Sequence, residues 1–220
     1  MFKLSFWGNI SLSKCNDFFK GLYNRNKKLL ILSTVIFFAS LFIGVLVGYF
    51  WPDFIGNFVV NTAHQIASQV KITTVSIFMN NLRVALMIYI GGIIGIIPAV
   101  LLSFNGFILG SLVGYSMHNF VVNHSSFNLI DILSYIVPHS IFEIPAYIIA
   151  GAAGFRLTSI IIDLINSMRG KLYTNNDYLK FKDALALLAI AVILLIIAAV
   201  IEANFTIPIG NYITGLHVHV

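Results

Sequence analysis

Charge is what this 220-residue chain has least of: Asp, Glu, Lys and Arg fill 10% of its positions, against about 25% in soluble domains. Hydrophobic residues fill 59%, and several runs match the roughly 20 apolar residues that cross a bilayer. A soluble fold is excluded, and an integral membrane protein is expected. With a single cysteine, Cys15, the chain has no internal disulfide and no cysteine-based metal motif. HExxH and GxSxG are absent, as is a second intramembrane histidine opposite a nucleophile, so no enzymatic role is expected. The net charge of +5 does not point to nucleic acid, because the basic residues flank the apolar runs, where membrane orientation accounts for them. No cleavable leader is expected: the first apolar run starts near Leu29, exceeds a signal core in length and lacks an A-x-A site.

What is present reads as an all-α bundle of about five transmembrane helices with amphipathic interfacial helices beside it. A basic segment, 1–28, precedes a single membrane domain, 29–220, with spans near 29–50, 84–102, 106–120, 138–162 and 184–201. Within 1–28, Cys15, Phe18, Phe19 and Leu22 share a helical stripe, which fits either an interfacial helix or a basic leader that sets topology. Ile55, Val59, Ala63, Ile66 and Val70 make a second amphipathic pattern. Ser103-Phe104-Asn105 reads as a turn between the second and third spans. Gly106, Gly110 and Gly114 then form a double GxxxG, a pattern that lets helices approach closely, and Gly151 and Gly154 give the fourth span a small-residue face. With the N-terminus inside, the inner segments hold ten Lys or Arg, so positive-inside bias favours N-in, C-out in a cell membrane.

The fourth span carries Pro138, His139, Glu143 and Pro145 in an otherwise apolar run. His139 and Glu143 share a helix face, and Pro145 withdraws a backbone donor, so a break or kink is expected there. The topology puts Asn80, Asn81, Arg83, His139, Glu143 and Glu202 at similar depth toward the outer side. A polar cluster is therefore expected in which Arg83 pairs with Glu143 or Glu202. Two ligands at helical spacing are too few to specify a metal, so neither a metal nor a cofactor is expected. His217 and His219 alternate near the C-terminus, where a solvated tail is expected rather than adventitious metal binding.

Together Asn80-Asn81-x-Arg83-x-Ala85, Asn105-Gly106, Pro138-His139-Ser140-x-Phe142-Glu143-x-Pro145-Ala146, Ala150-Gly-Ala-Ala-Gly154 and Ile201-Glu202-Ala203…Thr206-x-Pro208 resemble the stage II sporulation protein M family over roughly residues 78–210. Members more usually show glycine where this chain has Ser140. The resemblance implies a five-span membrane protein. Its named member works with a peptidoglycan-cleaving pair during engulfment of the forespore, as an anchor or recruiter rather than a catalyst.

Three functional readings follow. The first is a membrane scaffold that recruits envelope or membrane protein partners and self-associates, as a dimer or larger homo-oligomer, through its glycine-rich faces. The second is a small transporter or channel whose hydrated path is lined by the His/Glu/Arg cluster. The third is a lipid-binding, bilayer-deforming protein built on the amphipathic stretches at 15–22 and 55–70.

Overall fold

The computed structural model describes residues 12–58, 73–122, 129–169 and 176–215. Its elements are α1 (Leu12–Phe50), α2 (helical over 52–58), α3 (Thr74–Ile90), α4 (Ile97–Val121), α5 (Leu129–Met168), α6 (Asn176–Ile201) and α7 (Ile207–Thr214). Five stretches, Asn16–Phe50, Thr74–Ile93, Ile97–Val121, Leu133–Met168 and Tyr178–Thr214, are long and apolar enough to cross a bilayer. The fold is an all-α helical membrane bundle.

The helices depart from the sequence reading in four places. The stripe at 15–22 is no separate interfacial helix, because α1 runs unbroken from Leu12. Leu22 is buried with Ala152, Ala153 and Leu187, which holds this extension against α5 and α6. Of the amphipathic pattern that begins at Ile55, the described part is short: 52–58 folds onto α4, with Gly56 against the Tyr115 ring, and residues from Thr74 on already belong to α3. Val59, Ala63, Ile66 and Val70 lie outside the described residues.

The turn between the second and third spans is at Gly91–Ile96, not at 103–105. A single 3₁₀ turn, Gly91–Ile93, leads to Gly95 at φ +83°. Only glycine adopts that backbone without strain, and Pro98 then suits the first turn of α4. Asn105 stays helical because its side-chain amide donates to the Leu101 carbonyl one turn back. Finally, α5 starts at Leu129, so Pro138 is an interior residue, and the helix continues past both prolines.

Backbone proximity dominates the packing. α1 and α4 run in the same direction and interlock reciprocally. Gly106, Gly110 and Gly114 of α4 lie on the carbonyls of Phe37, Leu41 and Val45, while Gly44 and Gly48 of α1 lie on those of Phe107 and Ser111. A Cβ at any of these five would collide with backbone, which cannot move aside. The double GxxxG is therefore spent inside one chain, leaving that face unavailable for self-association. Gly151 meets Ser33 of α1 and Leu102 of α4, and Gly154 meets Pro98 and the Ile88 carbonyl. The core between the helices consists of Phe37, Ala85, Ile88, Leu102, Ala146, Tyr147, Ala150, Ala191 and Leu195.

Candidate functional site

Two polar clusters occupy opposite ends of this core. The first joins α1, α5 and α6. Arg25 donates two hydrogen bonds to Asp183, at 2.8 and 2.7 Å, and the Asn26 amide donates a third at 3.0 Å. Arg156 donates to the Asn26 side-chain oxygen and to the Arg25 carbonyl, both at 2.6 Å, and lies 4.0 Å from Asp183. Asn26 is fully buried and Asp183 is 3% exposed. One carboxylate thus meets two guanidiniums and an amide, the full satisfaction that a buried ion requires. Lys180 and Asp163 form a further pair between α6 and α5. Sequence reasoning placed Asp183 in a loop and Asn26 in the basic leader. The available signal was an acid at the start of an apolar run whose partners are far apart in sequence.

The second cluster lies toward the opposite end. His139 and Glu143 on α5 approach to 3.9 Å. Glu202 joins them from the end of α6, where Glu202–Thr206 forms a π-helical turn. Pro208 explains the widened turn: it has no N–H for the Asn204 carbonyl, and its ring would clash there in a regular α-helix. One ligand atom from each of His139, Glu143 and Glu202 lies within 4.8 Å of the others. His139 Nδ1 faces Thr206 Oγ1 at 3.4 Å, and the Tyr147 hydroxyl interacts with the Glu143 carboxylate. A cavity of about 250 Å³ between α1, α4 and α5 reaches His139, Glu143, Tyr147 and Asn105.

Arg83 does not pair into this cluster. With α3 beginning at Thr74 rather than near residue 84, Arg83 falls in mid-helix, exposed, and pairs with neither Glu143 nor Glu202. Among the described residues it has no ion-pair partner. Asn80 is exposed beside it, while Asn81 faces inward at 7% exposure.

The two clusters bracket a membrane-sized layer. On α6, Asp183 and Glu202 are separated by about 28 Å at 1.5 Å per residue, close to the roughly 30 Å hydrocarbon thickness.

The comparisons fit this architecture. The family model described as "Stage II sporulation protein M" matches residues 33–207, which hold the whole His139/Glu143/Glu202 cluster. The chain belongs to the stage II sporulation protein M family. Two similar proteins come from Methanocaldococcus jannaschii, both described as uncharacterized. MJ0793 is 36% identical over 139 residues, 63% of this chain and 73% of its own length. MJ0706 is 27% identical over 200 residues, 85% of each. No solved structure matches significantly. The family span contains Arg156 and Asp183 but begins after Arg25 and Asn26. Part of the first knot is thus built from residues outside the family match.

Proposed function

We propose that this chain is a non-enzymatic, multi-pass membrane scaffold of the stage II sporulation protein M family, inserted N-in and C-out, that holds a partner's transmembrane helix against α3. The observation that carries this reading is Arg83. α3 and α5 run in the same direction, with the Ile88 carbonyl against Gly154 and the Gly92 carbonyl accepting from Thr158. Five residues before Ile88, Arg83 is about 7.5 Å further from the basic end, level with Ile149 and midway between Arg156 and Glu143. An exposed arginine at that depth costs roughly 2.5–3.5 kcal/mol on insertion scales. A carboxylate presented by a neighbouring helix offsets that cost. Met79, Asn80, Leu82, Leu86, Met87 and Ile90 flank Arg83 in a shallow groove along α3. These residues recur at helical spacing along one side of α3, and the flexible methionines among them adapt to a partner. The α3 face is the surface we assign to the recruiting role that the family resemblance implies.

The test is co-reconstitution in liposomes with a labelled poly-leucine helix carrying one central Asp. Energy transfer with the Asp helix, absent for the all-leucine helix and lost in Arg83→Leu, is the expected result. Equal association of both helices sinks the proposal. Cross-linking of one copy to another through Met87→Cys would replace the heterologous partner with a second copy.

A transport pathway is the rival, and the cavity at Glu143 favours it. Beneath that cavity Phe37, Leu102, Ala146 and Ala150 are each at most 1% exposed, so a path would have to open a close-packed layer. Vesicle flux that disappears in Glu143→Gln would put transport ahead of scaffolding.

A further inference from the structure

We infer that His139, Glu143 and Glu202 are the protein ligands of one divalent transition-metal cation, of the Zn²⁺ or Mn²⁺ type, that ties α5 to the end of α6. The inference is independent of the α3 surface. Imidazole with carboxylates is a donor set suited to such ions. The structure supplies it from two helices: an i, i+4 pair on α5 and one carboxylate placed by the π-helical turn of α6. The three ligand atoms already lie within 4.8 Å of one another. A cation with bonds of about 2.0–2.2 Å needs ligand atoms about 3–4 Å apart, a gap that side-chain rotation closes with the backbones left in place.

Three further observations point to a bound cation rather than a structural tie. The first is charge. At the basic end Asp183 meets Arg25 and Arg156, but here two carboxylates face one imidazole, and no Lys or Arg among the described residues pairs with them. Arg83, the nearest arginine by depth, is exposed on the outer side of α3. Uncompensated charge of one sign inside a bundle is costly, and a divalent ion removes it.

The second is the outer contacts. Thr206 Oγ1 faces His139 Nδ1 at 3.4 Å, leaving Nε2 as the atom that faces Glu143. Tyr147, 5% exposed, interacts with the Glu143 carboxylate. Imidazole and carboxylate ligands are usually fixed by contacts of this kind. The third is room. The adjoining cavity of about 250 Å³ reaches both His139 and Glu143, space for water to complete a coordination shell that three protein ligands leave open.

The test uses the full chain in detergent with His217→Ala and His219→Ala, so that the tail cannot contribute ligands. After chelator treatment, Zn²⁺ is titrated by calorimetry and thermal unfolding is followed with and without it. One Zn²⁺ per chain and a raised Tm are expected, with affinity falling about tenfold or more in Glu143→Gln and in Glu202→Gln. Absence of stoichiometric uptake by the parent chain overturns the inference, as does uptake that neither substitution changes. Should the glutamine variants fail to fold, Thr206→Val removes the contact that orients the His139 ring, together with a 3.4 Å bond to the Ile201 carbonyl, and keeps all three ligands. Weaker Zn²⁺ binding in that variant supports the site, and unchanged binding overturns it.

Discussion

At the residue scale the two ends of the bundle solve the same problem differently. Asp183 is a buried carboxylate with both oxygens engaged, and neutralising it takes the counter-charge away from Arg25 and Arg156. Asp183→Asn should therefore lower stability by about 3 kcal/mol, at the low end for a broken buried pair, because the Arg25 side chain is 42% exposed. Asp163→Asn removes a pair that keeps more contact with solvent, Asp163 being 35% exposed, and should cost less than about 1 kcal/mol. Unfolding in mixed detergent, compared for the two variants, checks both expectations. Equal losses would mean that burial does not set the strength of these pairs.

At the scale of elements, the contact between α1 and α4 is set by missing side chains. Gly110 lies on the Leu41 carbonyl with no space for a Cβ, so Gly110→Leu should separate the two helices and cost several times the roughly 1–3 kcal/mol of ordinary overpacking. Gly21→Ala is the milder change, because the added methyl meets no backbone and lies 3.0 Å from Arg25 Nη1, so the guanidinium held by Asp183 has to give by only a few tenths of an ångström, and it should leave the helices together. Protease resistance in native membranes distinguishes the two: Gly110→Leu should be cleaved and Gly21→Ala should not. The same contact shows what sequence can and cannot reveal about elements. The 106/110/114 spacing identified a packing face directly. Nothing in the spacing told whether its partner was α1 or another copy, since partner choice depends on residues some sixty positions away. The turn between the second and third spans was assigned to Ser103-Phe104-Asn105, but Asn105 is instead satisfied within the helix by the Leu101 carbonyl. Gly91, Gly92, Gly95 and Pro98 were the real stop signal, masked by the apolar residues between them.

For the molecule as a whole, length and hydropathy were enough to set five spans, and paired ionisable residues on α5 marked two of the three residues of the candidate site. Glu202 was recognised as a member, but the π-helical turn that places it was not, because a register shift follows from the backbone around Pro208 rather than from composition. Arg83 was misplaced because the start of its helix was set ten residues late. Orientation is tested by position-specific labelling. Ile94, at the turn, is 68% exposed and Phe104, inside α4, is 56% exposed. With a membrane-impermeant maleimide and Cys15→Ser as background, Ile94→Cys should react from the side that holds the N-terminus. Phe104→Cys should stay unreacted until the membrane is dissolved, because α4 carries it into hydrocarbon. Labelling of Phe104→Cys in intact membranes would restore the turn to 103–105.

The reciprocal seam between α1 and α4 also sets an order of events during synthesis. α1 leaves the ribosome first, yet the helix that fills its glycine notches is the fourth in sequence and begins only at Ile97. Throughout the intervening elongation α1 sits in the bilayer with Gly44 and Gly48 bare. A nascent chain halted after α3 therefore presents an open notch to any neighbouring helix, and only the arrival of α4 fills it.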